Sequence, residues 1–353
     1  MHFNQVAVFL KEASYHNLTG DGSPGQRWPQ TDFVIQTADC SNRRFIRQLF
    51  SYIRRHGVSH LHCCTLDNNL LIFAIRLLAI GRVQLSLTVH EINEYFLLPW
   101  RTLRDSTETL AKFILRRQIR HYHVFLPAMA EQLRQRLPGS IVVFIPSRFY
   151  TGHHIVPPAS PFRIVIPGSL DSNRRNYADP LLTISQWQSH PAAPPVELIL
   201  LGDGGTEKAA PIIREFQSIA TERISIRSFS GYIPATTYER ELARAHLIWS
   251  PLNIDKKGSR DNPEIYGLTT ASGLTADLLL NNIPAMVPTG FIIPGPFRSA
   301  IYPYRSPEEA QSIVLGFIDD PAGYSATREK IHQAFGYFSR ENFRTAFSEL
   351  TKP

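Results

Sequence analysis

The sequence predicts an α/β protein built from two successive domains, each around a parallel sheet. Three observations predict it. The chain has 353 residues, too many for one small core and a fit for two domains. Short apolar runs alternate with amphipathic helical stretches along its length, the pattern of a βαβ series. A stretch with prolines, a glycine and no periodicity, residues 147–161, separates one such series from the next.

In the first series, 32–36 (DFVIQ) reads as a strand and 44–55 as an amphipathic helix stopped by Gly57. Strand 58–64 and helix 68–80 follow, with Gly81 as the stop. Residues 83–89 (VQLSLTV) read as a buried strand that ends in His90 and Glu91. A basic helix comes next, then strand 123–126, helix 128–136 and strand 141–145. The second series opens with strand 163–166, a loop PGSLDSNRRN and helix 177–188. Strand 196–201 (VELILL) runs into the glycine turn 202–205. Helix 209–221, strand 224–229, helix 238–245 and strand 246–250 continue the alternation. A helix ending at Asn281 and Asn282 precedes strand 285–287, and helices 308–319 and 325–350 close the chain. The domains are therefore 1–150 and 161–324, with 325–353 as a closing helix. Two such sheets joined by a linker imply a cleft, and ligands of such sheets bind at the carboxyl ends of strands.

Composition narrows the class. Cys40, Cys63 and Cys64 form no disulfide framework and no zinc spacing, and they read as buried small apolar residues of a reducing compartment. The N-terminus lacks a basic start and a long apolar core, so no signal peptide is expected. The longest apolar region, 70–89, is interrupted by Arg76 and Arg82, so no membrane span is expected and the protein is placed in the cytoplasm. There is no P-loop lysine, no G-x-S-x-G elbow and no zinc-spaced histidine cluster. No D-x-D pair is present to hold a divalent cation, so neither a metal nor another cofactor is expected.

The net charge of +7 is unevenly placed. Residues 1–160 hold 18 Lys+Arg against 10 Asp+Glu, whereas residues 161–353 hold 19 against 20. Helical spacing puts Arg116 and Arg120 on one face with Arg117 beside it. That face reads either as a site for anionic lipid headgroups or a polyanionic acceptor, or as an ordinary solvated surface. Nucleic acid is not expected, because no aromatic-basic interleaving accompanies the charge.

Residues 264–288, EIYGLTTASGLTADLLLNNIPAMVP, hold a carboxylate, a glycine turn, hydroxyl residues and an apolar helix in succession. A helix N-terminus with nearby hydroxyls suits an anion. Thr269, Thr270 and Ser272 are placed to cap the helix or donate to that anion. Glu264 repels phosphate and instead accepts hydrogen bonds from hydroxyls. Anion donors beside a hydroxyl acceptor read as a nucleotide-sugar site. The competing reading is a capped αβ unit with Glu264 solvated on a loop.

Taken in order, these features resemble the donor domain of GT-B glycosyltransferases, most of all glycosyltransferase family 4. Pro167-Gly168-Ser169-Leu170, followed by Arg174 and Arg175, resembles the family's glycine loop and its basic residue. LILLGDGG resembles its strand and glycine turn, and EIYGL at 264–268 matches its E-x-[FY]-G-L motif. The strand end LTVHE at 87–91 resembles a histidine motif facing the cleft, and the closing helices resemble one that packs back on the first domain. Two departures stand out. The family's second glutamate, eight positions after the first, is Ser272 here, with Asp277 further on. The opening strand VAVFL at 6–10 and loop GDGSPG at 20–25 match poorly.

The resemblance implies two Rossmann-like domains facing a cleft and transfer of a sugar from a nucleotide-sugar to a glycan or lipid-linked acceptor, with retained stereochemistry. It implies His90 and Glu264 as catalytic residues; the competing reading of His90 is a strand-end histidine bonded to backbone. Gly168, Ser169, Arg174, Arg175, Gly267, Leu268, Thr269 and Ser272 would bind the nucleotide-sugar. Lys256 and Lys257 are further partners for the leaving diphosphate, aided by the amides of 267–269. Two alternatives stay open: a sugar-nucleotide epimerase of the same fold, and a catalytically degenerate subunit that binds sugar or a partner.

Overall fold

The computed structural model describes residues 5–19, 30–66, 69–81, 83–96, 102–152, 160–190, 192–254, 256–257 and 262–351. They fall into two compact units: Met1–Val124, Ala130–Ile145 and Thr345–Pro353 form the first, and Phe125–Met129 with Pro146–Arg344 form the second.

The first unit begins with β1 (Val6–Lys11), α1 (Glu12–Thr19) and β2 (Thr31–Gln36), and the two strands pair in parallel. Next come α2 (Asn42–His56), β3 (His60–Cys63), α3 (Leu70–Leu78), β4 (Gln84–Thr88), α4 (Ile92–Phe96), α5 (Leu103–Gln118), β5 (His121–Val124), α6 (Pro127–Arg136) and β6 (Ile141–Phe144). Strands β3 to β6 form one parallel sheet in sequential order. Local signals set the helix ends. Ser41 Oγ accepts from the Arg44 amide to start α2, and Gly57 closes it in the left-handed region at φ 58°. Thr102 and Asp105 form a reciprocal capping box for α5.

Strands β3, β4 and β5 place polar groups on one face, as their period of two requires. His62 sits between Ser86 Oγ at 2.7 Å and Thr88 Oγ1 at 3.0 Å. His60 meets Ser86 Oγ at 2.9 Å, and Thr88 Oγ1 meets His123 Nδ1 at 2.9 Å. His123 Nε2 donates to the Ile145 carbonyl at 2.8 Å.

The second unit is a single six-stranded parallel sheet with a short β-ribbon. Its elements are β7 (Phe162–Pro167), α7 (Ala178–Ser185), β8 (Val196–Asp203), α8 (Ala209–Ser218), β9 (Ile224–Phe229), α9 (Ala235–Ala243) and β10 (Leu247–Trp249). The ribbon β11 (Lys256–Lys257) and β12 (Pro263–Glu264) is antiparallel. Then come α10 (Leu274–Leu280), β13 (Ala285–Pro288), β14 (Ile301–Tyr304), α11 (Pro307–Asp319) and α12 (Pro321–Phe335). Helix α13 (Arg344–Leu350) follows, and from Thr345 on it belongs to the first unit. The strand order is β14-β13-β10-β7-β8-β9. The chain runs outward from β7 in one direction through β8 and β9, then returns to build β10, β13 and β14 on the other side. That is the doubly wound order, with its topological switch between β7 and β10.

Several expected elements are corrected. The closing stretch 325–350 is not one helix: α12 stops at Phe335, two 3-10 turns follow, and α13 begins only at Arg344. Strand β14 was unexpected, because Pro303 interrupts its apolar pattern. It is an edge strand, where a proline costs no interior ladder bond. Of the cysteines, Cys40 and Cys63 are buried but Cys64 is exposed, and all three are free thiols.

Candidate functional site

In an open parallel sheet the loops at the carboxyl ends diverge at the switch point and leave a ligand crevice. Here that edge carries the loop 168–176 after β7 and the loop 250–254 after β10. The two are tied across the switch. Arg175 and Leu252 form an antiparallel bridge, the Asn176 amide donates to Pro251 O at 2.7 Å, and the Asn253 amide donates to Arg174 O at 3.0 Å. Asn253 Nδ2 adds a bond to Ser172 O at 2.9 Å. The loop after β13 joins them through Gly290, which lies against Ile254.

The loop that follows Glu264 closes on itself. The amides of Leu268 and Thr269 donate to Ile265 O at 3.1 and 2.9 Å, and the Gly267 amide donates to Thr270 O at 3.0 Å. Thr269 Oγ1 accepts from the Ile265 amide at 2.8 Å. The loop is then stapled to the loop after β13: Ile292 N donates to Tyr266 O at 3.2 Å. Gly267 has φ +86°, and any side chain there would collide with the Ile292 carbonyl, so only glycine fits. Gly168 is also left-handed, at φ +93°, with the Arg175 guanidinium where a side chain would be.

The structure thus brings the expected donor residues Gly168, Ser169, Arg174, Arg175, Gly267, Leu268 and Thr269 onto one edge of the second unit, but it changes what several can do. The amides of 267–269 are used within their own loop and do not point at an anion. The helix begins later than the hydroxyl residues, at Leu274, with Gly273 as N-cap and no side-chain cap bond. Thr269 is therefore a loop brace, not a helix cap. Ser272 lies half-buried just before that N-terminus. Arg175 turns inward, donating to Pro167 O at 2.7 Å and Ser169 O at 2.8 Å. Arg174 is exposed on the same loop. Glu264 is not solvated: it is 1 % exposed, on β12 opposite Lys256. The side chains of Lys256 and Lys257, and the loop 20–25, lie outside the described residues.

Asp277, the carboxylate that follows Ser272, is bonded within the fold. It is buried, and Tyr238 OH donates to its Oδ1 at 3.0 Å, locking α9 to α10. Burial pushes its carboxyl up to about 6, against the pull of Tyr238, Arg148 and Arg175. At the loop mouth, Lys208 reaches Asp171 Oδ2 at 2.8 Å, and that hydrogen bond holds the half-buried Asp171 carboxyl below its ordinary value. Neither pair was read from the sequence. An open groove of about 660 Å³ lies elsewhere in this unit, lined by Gly295, Pro296, Arg298, Ser299, Ala334 and Tyr337, none of them an expected site residue.

In the first unit His90 is exposed at the carboxyl end of β4, and its Nε2 donates to the Cys64 carbonyl at 2.9 Å. This is the backbone-bonded strand-end histidine that competed with a catalytic role.

The expected arginine face does not form. Helix α5 ends at Gln118, Ile119 is extended, and Arg120 lies outside the helix. Arg116 turns inward, with Nη2 donating to Tyr95 O at 2.7 Å and the guanidinium 4.3 Å from the Phe96 ring centroid. Burial holds its pKa below the usual arginine value. Lys112, also buried, donates to Glu94 O at 2.9 Å. These two cations pin α4, and among the described side chains of α5 Arg117 is the exposed cation. Among the described residues no group of three or more His, Cys, Asp or Glu is placed to hold a metal ion, and no helix is long and apolar enough to cross a membrane.

This architecture, two α/β units of mostly parallel sheet with a doubly wound second unit, is the GT-B fold. Solved structures share it. Anabaena Alr3699/HepE, determined with UDP and glucose, aligns at TM-score 0.64 and 11 % identity, over 99 % of this chain and 100 % of that one. TarM aligns at TM-score 0.56 and 11 % identity, over 89 % of this chain and 59 % of its own length. The pneumococcal O-GlcNAc transferase GtfA, determined with UDP and GlcNAc, aligns at TM-score 0.52 and 11 % identity, over 89 % of this chain and 61 % of that one. At these identities the likeness is one of fold. No family model and no curated protein sequence matches the chain.

Proposed function

We propose that the chain is a glycosyltransferase that takes a sugar from a uridine diphosphate sugar and passes it to a glycan or lipid-linked acceptor. The observation that carries this reading is the switch-point edge of the second unit. There, the loops after β7 and β10 are knit together by backbone bonds, the loop after β13 adjoins them, and the loop bonded to it opens on the buried Glu264 carboxylate, with exposed Arg174 on the first. The similarity in fold to proteins determined with UDP supports the donor class.

The chemistry follows from charge. Breaking the bond from sugar to diphosphate leaves negative charge on the β-phosphate, which an oriented guanidinium stabilises. Arg174 is the residue for that task, because Arg175 is occupied with the carbonyls of its own loop. Arg175 holds the loop in shape and so presents Ser169 and Arg174. Glu264 accepts hydrogen bonds from donor hydroxyls. His90 is proposed for the acceptor chemistry on the strength of its strand-end position. The reaction is proposed to retain stereochemistry and to run without a metal, and activity that survives a chelator would agree with the latter. Placement in the cytoplasm, with peripheral attachment to a membrane, belongs to the same proposal.

The test is thermal unfolding with a panel of nucleoside diphosphates and their sugars. A true donor raises the midpoint through linkage, by about 2.7 kcal/mol of stability at a hundredfold excess over Kd. No shift with any of them overturns the donor site. Binding without turnover on any acceptor favours the degenerate subunit, and free nucleoside diphosphate formed without acceptor favours an epimerase or hydrolase.

A further inference from the structure

Three helices of the first unit lie side by side. Helix α2 packs on α3, with Phe50 edge-on to Phe73 at 5.3 Å, and α3 packs on α5. Their inner sides are ordinary core: Phe50 and Ile53 from α2, Phe73 and Leu77 from α3, Ala111 and Leu115 from α5 are all buried. Their outer sides are not an ordinary solvated surface.

Helix α2 exposes Arg43, Arg44, Arg47, Arg54 and Arg55. At about 100° per residue these five fall within roughly one third of the helix circumference. The segment NRRFIRQLFSYIRRH contains no acidic residue to neutralise them. Among the described residues none of the five forms an ion pair, and Arg44 alone has a carboxylate, that of Asp39, within electrostatic reach. Like charges at i and i+4, as in Arg43 and Arg47, repel. The neighbouring helices expose large apolar side chains: Ile75 at 54 % and Leu78 at 58 % on α3, Leu110 at 49 % and Phe113 at 50 % on α5. Arg117 lies over the Phe113 ring at 3.6 Å from its centroid, adding a cation among them. Single exposed apolar residues are common, but several on two touching helices beside an unpaired cationic face mark an interaction surface.

We propose that the outer face of α2, α3 and α5 docks on an anionic lipid bilayer. The arginines of α2 lie among the headgroups, and Ile75, Leu78, Leu110 and Phe113 enter the headgroup–acyl boundary. A bilayer takes both halves of the surface. A nucleic acid or an anionic glycan would pair with the arginines but leave the apolar side chains in water. A second copy of the chain would bring five more arginines against the first five. The inference deepens the peripheral attachment proposed above, stands apart from the donor-site reading, and moves the basic membrane contact from Arg116 and Arg120 to α2.

Cosedimentation of the full chain with phosphatidylcholine vesicles, with and without phosphatidylglycerol, tests it. The chain should bind the anionic vesicles and release them as salt rises. A triple variant, Arg43→Gln with Arg47→Gln and Arg54→Gln, should lose about a hundredfold in partitioning, at about fivefold per arginine. Leu110→Ser with Phe113→Ser should lose about tenfold or more and keep the salt dependence. All five side chains are exposed, so unfolding midpoints should match the wild type. Arg47→Glu alone replaces the triple variant if that one unfolds. A nucleoside diphosphate should stabilise every variant as it does the wild type, which separates this surface from the donor site. Equal binding to neutral and anionic vesicles, unchanged binding by the triple variant, or binding to heparin but not to vesicles overturns the proposal.

Discussion

In the second unit, β7 buries Ile164, Val165 and Ile166 completely and β8 does the same with Leu198, Ile199, Leu200 and Leu201. In the first unit, β3, β4 and β5 give one face of their sheet to His60, His62, Ser86, Thr88, His121 and His123. The first kind of sheet is held by burial of apolar surface, which is indifferent to pH. The second needs imidazoles that stay neutral, because a buried charge without a counter-ion is costly. The contrast teaches that two units of one fold class can be stabilised by unlike means, and that acid should reach them differently.

The largest expected effect breaks or sustains that contrast directly. Burial, with His123 and His60 as neighbours, holds His62 down to about 4, and burial also lowers His60, His121 and His123. The unfolded chain therefore binds protons that the folded first unit refuses between about pH 6.5 and 4. Its stability is full above 6.5 and falls through that window, by about 3 kcal/mol for a shift the size of that at His62. Asp277 in the second unit runs the other way. Its folded pKa, about 6, lies above the unfolded value of 3.8, so it adds stability below 3.8 that is lost as pH rises through 6. Hydrogen exchange followed peptide by peptide from pH 7 to 4.5 should show opening of β3–β5 before β7–β10. Parallel loss in both units would refute the distinction.

A second effect belongs to the chemistry. Glu264→Gln keeps shape and removes charge, and it should lower transfer by about a hundredfold, the scale seen when one preorganised group is removed from a site. The unfolding midpoint should stay near wild type. A variant that transfers sugar normally would return Glu264 to a structural role.

A third effect is structural and concerns a buried polar pair of the second unit. Arg328 and Asn282 clasp one another: Arg328 donates to Asn282 O and Oδ1 at 3.2 Å each, and Asn282 Nδ2 donates to Arg328 O at 3.3 Å. Both are buried, at 3 % and 0 % exposure. Arg328→Leu should cost about 2–3 kcal/mol, because the acceptors of Asn282 lose a charged donor away from water. Denaturant midpoints with unchanged slope would measure it.

These contrasts explain what could be read from the sequence. The second unit was legible because runs such as VELILL are uninterrupted, and glycine turns fall where strands end. The first unit was legible in its alternation, yet its histidine face was passed over, although HLHC, QLSLT and HYHV carry polar residues at period two. Arg116 was misread because periodicity assigns a charge to solvent, while the carbonyl of Tyr95 and the ring of Phe96 that receive it come from another helix. The same blindness applied to Arg175, whose acceptors lie six and eight positions earlier in a loop of unpredictable path.

That pair of adjacent arginines gives the smallest and most discriminating prediction. Arg174 is exposed with its side chain toward solvent, whereas Arg175 serves the carbonyls of Pro167 and Ser169. Removing a charged hydrogen bond to a diphosphate costs about 1.5–3 kcal/mol, so Arg174→Gln should weaken nucleoside diphosphate binding by roughly ten- to a hundredfold. It should leave unfolding nearly unchanged, since the exposed side chain only adds a weak pull on the Asp171 carboxylate. Arg175→Gln should do both. It releases two backbone carbonyls at the end of β7, which lowers stability, and it loosens the loop that presents Arg174, which weakens binding indirectly. Isothermal titration set beside thermal unfolding separates the cases. If Arg174→Gln binds as tightly as wild type while Arg175→Gln alone loses affinity without losing stability, the inward arginine is the phosphate ligand. The loop would then have to open to receive the donor.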